Sequence, residues 1–116
     1  MGRDEVWHGG EEAAWEVYRR RGYRLLARNW RCPMGELDLV LEKGGRVVFC
    51  EVKARTTSRL GQPYEAVTPA KQRKLRALAE VFGDRRPQPP LGYRFDVASV
   101  SLGRNGARVN VFEDAF

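Results

Sequence analysis

Asp38, Glu51 and Lys53 are the side chains whose types and spacing could do chemistry. Two carboxylates and an amine lie within the otherwise largely apolar stretch GELDLVLEKGGRVVFCEVKAR, residues 35–55. Two carboxylates placed opposite each other on neighbouring strands repel, at a penalty of roughly 0.2–1 kcal/mol. A divalent cation between them reverses that sign, and hard cations such as Mg²⁺ prefer carboxylate oxygens together with retained waters. The expected chemistry is that of a carboxylate-held metal with a lysine beside it. The plain alternative is that each charge marks a solvated strand face.

A hairpin would position these groups. Strand-like runs flank Gly44-Gly45, and a Gly-Gly pair supplies the positive φ values that a two-residue hairpin turn requires. Counting outward from that turn pairs Lys43 with Arg46, Leu41 with Val48, Asp38 with Glu51 and Glu36 with Lys53. Because i and i+2 share a face, Glu36, Asp38, Glu51 and Lys53 project together, while Leu37, Leu39, Leu41, Val48, Cys50 and Val52 fill the other side.

Two helices and three further strands surround the hairpin. Met1–Gly9 reads as a polar lead. A helix is expected from about Gly10 to Arg21, with Ala14, Val17 and Tyr18 at helical spacing and Gly22 as its C-cap. At ~100° per residue Glu11 falls on the stripe of Ala14 and Tyr18, while Glu12 and Glu16 do not. Glu11 is then either a dipole-stabilising acid in a first helical turn or an acid aimed at the hairpin carboxylates. Tyr23–Arg31 reads as a strand. Residues 56–67, with Gly61 and Pro63, read as a mobile loop beside Lys53. Thr68-Pro69 is an N-cap followed by proline at the first helical position, opening a helix to about Phe82 with Gly83 as its stop. Leu75, Leu78, Ala79 and Phe82 form its apolar stripe, and Lys71 emerges one turn before Leu75. Asp84–Gly92 is a connector, and Tyr93–Leu102 and Arg108–Phe112 are strands around an Arg104-Asn105-Gly106 turn. Asp96, inside the first of these, reads as the partner of a neighbouring arginine.

Composition narrows the class. A chain of 116 residues, 42% hydrophobic and 31% charged, fits one globular domain. No apolar run approaches the roughly 18 residues of a membrane helix, and the amino terminus lacks an apolar signal core, so the expected location is the cytoplasm with no membrane partner. Cys32, Cys50 and His8 cannot supply the four ligands of a structural zinc site, and free thiols are expected. The net charge of +6 comes from 21 basic against 15 acidic residues, and 17 of the basic ones are arginines. Arginine's planar donor fork suits phosphate, although an arginine-rich codon or thermophile bias accounts for the composition equally well. Arg55, Lys71, Arg59 and Arg31 are the candidate nucleic-acid contacts.

The order helix, strand, hairpin, helix, strands, with a helix glutamate, then Asp and Glu-x-Lys on the hairpin, resembles the core of the PD-(D/E)XK nuclease superfamily over nearly the whole chain. Gly10-Glu11 with Ala14 and Gly22, Asn29-Trp30-Arg31, Gly35-Glu36-Leu37-Asp38-Leu39, Phe49-Cys50-Glu51-Val52-Lys53-Ala54-Arg55, Ala66-Val67-Thr68 with Lys71, and Arg94-Phe95-Asp96-Val97 look like the bacterial YraN-type family. The resemblance implies an α/β restriction-endonuclease-like core with a mixed, largely antiparallel sheet flanked by helices, in the order α-β-β-β-α-β-β. It implies an endodeoxyribonuclease similar to Holliday junction resolvases, acting on branched or duplex DNA with Mg²⁺ or Mn²⁺. By motif, Asp38, Glu51, the Val52 backbone carbonyl and Glu11 would hold metal, and Lys53 would serve catalysis. A resolvase of this size would act as a homodimer, for which Trp7, Trp15, Val111, Phe112 and Phe116 offer apolar surface. The alternative is a non-catalytic nucleic-acid-binding module on the same fold.

Overall fold

The computed structural model describes residues 2–56 and 67–116. Its elements are α1 (Arg3–Arg20), β1 (Arg24–Cys32), β2 (Gly35–Lys43), β3 (Arg46–Thr56), α2 (Pro69–Asp84), β4 (Gly92–Gly103) and β5 (Gly106–Phe112). The five strands form one sheet in chain order, antiparallel except for the parallel β3–β4 pair that α2 bridges. This is the α/β order and mixed sheet expected from the sequence.

A helix lies on each face of the sheet, and alternation along β3 separates two cores. Val47 and Phe49 pack with Leu75, Leu78, Ala79 and Phe82 of α2, while Val48, Cys50 and Val52 pack with Ala14 and Tyr18 of α1. A strand buried on both faces reads as a continuous apolar run, which is why VVFC stands out at 47–50. Both helical stripes face inward as their spacing predicts, and the Thr68 hydroxyl caps α2 by accepting from the Lys71 backbone N–H.

Two glycines misplace helix ends in the sequence reading. The helix α1 begins at Arg3 rather than Gly10, so most of the expected polar lead is helical. Gly9 and Gly10 are interior residues that let α1 approach the sheet. A Cβ on Gly10 would stand 2.3 Å from the Ala54 Cβ on β3, and one on Gly9 would stand 3.2 Å from a Leu102 methyl. Likewise α2 runs through Gly83 to Asp84, and a glycine is required at 83 because the Tyr93 hydroxyl occupies the space of its side chain. The Gly44-Gly45 turn has φ of 60° and 82°, as a two-residue hairpin requires.

Asp96 is fully buried and satisfied. It receives both Nε and Nη2 of Arg94 at 2.8 Å, the Tyr18 hydroxyl at 2.7 Å and the Asp114 backbone N–H at 3.0 Å. It ties α1, β4 and the 113–116 segment together, as a structural partner of an arginine. Trp30 meets Phe82 edge-to-face, and both cysteines are free. Of the apolar residues offered for an interface, Trp15 and Val111 pack on the α1-side core and Phe116 on the α2-side core, while Phe112 is exposed. No helix among the described residues is long and apolar enough to cross a membrane.

Gly10→Ala tests the close approach of α1. In an open helix this change stabilises by about 0.5–1 kcal/mol, but here the new methyl must displace β3, and a loss of roughly 1–3 kcal/mol is expected in urea denaturation. A Gly10→Ala protein as stable as wild type would mean that α1 stands farther from the sheet.

Candidate functional site

The site forms where two strands stop obeying alternation. The β1–β2 ladder pairs Arg28 with Leu39 and Trp30 with Leu37, so Asn29 lies across from Asp38. Yet Leu37 and Trp30 pack on the α2-side core, whereas Leu39 packs on the α1-side core and Arg28 reaches Glu11 of α1. Residues two apart face opposite ways in both strands. Asn29 has a positive φ of 53°, a left-handed conformation that asparagine tolerates better than most residues, and it rotates β1 at this step. Leu37 is therefore not on the side of Leu39 and Leu41, contrary to the simple two-residue period.

The β2–β3 ladder follows the expected register from Lys43–Arg46 to Leu39–Cys50. Beyond it Asp38–Glu51 and Glu36–Lys53 are not ladder pairs, which corrects the expected facing of these residues. Instead the Val52 backbone N–H donates to the Asp38 carboxylate at 2.8 Å. The buried side chain takes the place of a ladder acceptor and is fixed between the strands.

Glu51 lies between two residues of the α1-side core, so alternation turns it toward α2. There Lys71 approaches its Oε1 at 3.8 Å. Asp38 and Glu51 line one small pocket with Leu37, Phe49, Cys50, Leu75, Phe95 and Phe116. Lys53 is partly buried and acts electrostatically on Glu51. Arg31 donates from Nε to Glu36 at 2.6 Å, which places it at the same end of the hairpin.

Glu11 approaches from the α1 side and is fully buried. Its Oε1 accepts from Asn29 Nδ2 at 3.1 Å and from Arg28 Nε at 3.4 Å, and its Oε2 is without a hydrogen-bond partner. Its charge is felt at Asp38. The sequence reading that aimed Glu11 inward is thus correct in direction, and its direct partners are Asn29 and Arg28.

Burial dominates the electrostatics. It pushes the Asp38 carboxyl from 3.8 up to about 7, helped by the Glu51 charge and, more weakly, by Glu11 and Glu36, while the Val52 N–H opposes the rise. Glu51 is also raised by burial, with Lys71 and Lys53 pulling back. Two acids that both resist ionisation, in hard oxygen chemistry, suit a cation that would relieve them. Among the described residues no group of three or more histidine, cysteine, aspartate or glutamate side chains is arranged to hold a metal ion. The donors therefore do not fit a closed all-protein cage. They fit an ion of the Mg²⁺ type, which takes one or two carboxylates and completes its shell with waters and substrate phosphates.

Arg55 at the end of β3 is partly buried and engaged in an interaction of its own. Arg59 and the expected mobile loop fall outside the described residues, apart from Thr56, which ends β3, and the buried Val67. The sequence reading missed the part played by Asn29, because asparagine tolerates a left-handed φ but the residue type alone does not fix one. It also took Lys71 for a nucleic-acid contact only, although its position at the end of the apolar stripe already pointed at the hairpin.

The raised Asp38 carboxyl has a signed consequence for stability. Between 3.8 and about 7 the native state holds more protons than the unfolded chain, so stability falls as pH rises through that window. In chelator-treated buffer Asp38→Asn is expected to be more stable than wild type above the window, by on the order of 2 kcal/mol. The difference should close toward pH 4, about the carboxyl's unperturbed value. Thermal melts across this range check it, and parallel pH profiles for the two proteins would show an ordinary, ionised Asp38.

Comparison with known proteins places this site in a shared region. The model of a family described as "Uncharacterised protein family UPF0102" matches residues 10–100, a span that holds Glu11, Asp38, Glu51, Lys53 and Lys71. A UPF0102 protein of Caldicellulosiruptor saccharolyticus is 39% identical over 118 residues, covering 100% of each chain. Another, from Mycolicibacterium vanbaalenii, is 47% identical over 102 residues, 88% of this chain and 84% of the relative. A third, from Symbiobacterium thermophilum, is 46% identical over 112 residues, 96% and 95% of the two chains. With a family match over most of its length and relatives this similar end to end, the chain belongs to the UPF0102 family, the YraN-type family that its motif blocks resemble.

Proposed function

We propose that this chain is a divalent-cation-dependent endonuclease that hydrolyses DNA phosphodiesters, with a structure-specific preference like that of Holliday junction resolvases. The observation that carries this reading is the pairing of buried Asp38 with half-buried Glu51 at the open end of the β2–β3 ladder, with Lys71 3.8 Å from Glu51. A purely structural strand end gains nothing from two acids that burial penalises. A site for a cation and a phosphate does.

Bound Mg²⁺ or Mn²⁺ would supply Lewis-acid stabilisation of the phosphoryl oxygens and a more acidic water. Asp38 and Glu51, with the Val52 carbonyl, would hold that ion. Lys53 would offset negative charge on the phosphoryl oxygens in the transition state, and Lys71 would oppose the rise that burial gives the Glu51 carboxyl. In the hydrolysis a water oxygen bonds to phosphorus as the bond to one sugar oxygen breaks. The water's proton passes to a carboxylate and the leaving oxygen takes one from solvent, giving a phosphomonoester and a free hydroxyl. Arg55, Arg31 and Arg59 would meet flanking phosphates. Cutting two symmetry-related strands of a junction would call for a two-fold dimer, which light scattering with and without a four-way junction tests.

The deciding assay offers four-way junctions, flaps, single strands and duplexes with Mg²⁺ or Mn²⁺. Wild type is expected to cleave a branched substrate, and Asp38→Asn and Glu51→Gln to lose on the order of 100-fold or more. Asp38→Asn should bind DNA as well as or better than wild type, having lost a charge that repels phosphate. Arg55→Ala should weaken binding and lower the salt slope by about one. If Asp38→Asn cleaves like wild type, the activity lies elsewhere. Metal-independent DNA binding without cleavage would favour a non-catalytic binding module.

A further inference from the structure

Asn29 and Glu11 share a feature that the metal-holding pair does not explain. Among the described residues only three buried side-chain polar atoms lack a hydrogen-bond partner, and two of them, Glu11 Oε2 and Asn29 Oδ1, belong to this one hydrogen-bonded pair. An unsatisfied buried acceptor costs about 1–3 kcal/mol, and more when charged. Because Asn29 Nδ2 donates to Glu11 Oε1 at 3.1 Å, the amide's orientation is set and its oxygen is the atom left open. The nearest cation, Arg28, reaches only Oε1 at 3.4 Å and is held closer by Glu12, at 2.7 Å.

We propose that Glu11 Oε2 and Asn29 Oδ1 form an acceptor pair that holds one water molecule beside Asp38, and that Asn29 is thereby a positioning residue for the hydrolysis. Two open acceptors on adjoining side chains ask for a ligand with two donor hydrogens, and water is the smallest such ligand. The register puts Asn29 across from Asp38, between the Arg28–Leu39 and Trp30–Leu37 pairs, so the held water lies at the site rather than in a remote core. A water that gives both hydrogens to these atoms turns its lone pairs away from them, which is the orientation a nucleophile needs toward phosphorus. Glu11 Oε2 is then also the atom placed to take its proton. The water site itself stands on the two open acceptors, and only its use in catalysis rests on the nuclease reading.

Asn29→Gly separates this role from the left-handed turn, because glycine adopts a positive φ readily and lacks the amide. The variant also loses the Nδ2 bond to Glu11 Oε1, so its melting temperature is expected to fall modestly, while DNA affinity and KM stay at wild-type values and kcat falls by about 10–100-fold, as when a supporting partner of a catalytic group is removed. A high-resolution crystal structure of the wild-type protein should show an ordered water bridging Glu11 Oε2 and Asn29 Oδ1, and Asn29→Gly should lack it. A wild-type structure with both atoms dry or bonded to a protein donor overturns the acceptor pair. Wild-type kcat in Asn29→Gly overturns the positioning role. A wild-type protein that shows the bridging water but cleaves none of the substrates leaves the acceptor pair standing and removes the nuclease reading instead.

Discussion

The hydrogen bond from the Val52 N–H to the Asp38 carboxylate is the contact on which the site depends. Strands buried on both faces normally satisfy their backbone through the ladder. Here β2 and β3 part after Leu39–Cys50, and a side chain does what the next ladder acceptor would have done. That substitution costs the sheet little, since the N–H stays bonded. It fixes a carboxylate at a point where neither helix nor strand covers it completely, and Glu51 of β3, Glu36 of β2 and Glu11 of α1 are all near enough to raise its pKa.

Three buried acids in the same small protein show how differently such groups can be treated. Asp96 takes four donors and holds α1, β4 and the 113–116 segment in place. Asp38 takes one backbone donor and remains hard to ionise. Glu11 has one oxygen bonded and the other open. Burial without full satisfaction is unfavourable for stability, so the latter two are the acids that the proposed cation and water would relieve. The saturated Asp96 needs neither.

The close approach of α1 at Gly10 serves the same end. With no side chain between the helix and Ala54, the following residue, Glu11, is carried into the sheet interior, where it can reach Asn29 of β1. The left-handed turn at Asn29 is the complementary distortion on the strand side. Together they bring an acid from one layer to a break in the next. Backbone irregularity of this sort is often retained where a site needs it.

Much of this was legible in the chain itself. The period of 3.6 in Leu75, Leu78, Ala79 and Phe82, the Thr68-Pro69 cap and the Gly44-Gly45 turn are local signals, set by backbone geometry over a few residues, and they determined the elements and the hairpin register near its turn. Glu11 was visible as an acid on an apolar stripe, and the motif blocks identified the family. What the tertiary structure alone decided is how far those local rules extend. The two-residue period fails between Leu37 and Leu39, across from the left-handed Asn29, and a glycine is needed at position 10 inside α1 because Ala54 leaves no room for a side chain there. Those outcomes depend on which atoms meet across the fold, at separations in sequence where no local preference acts.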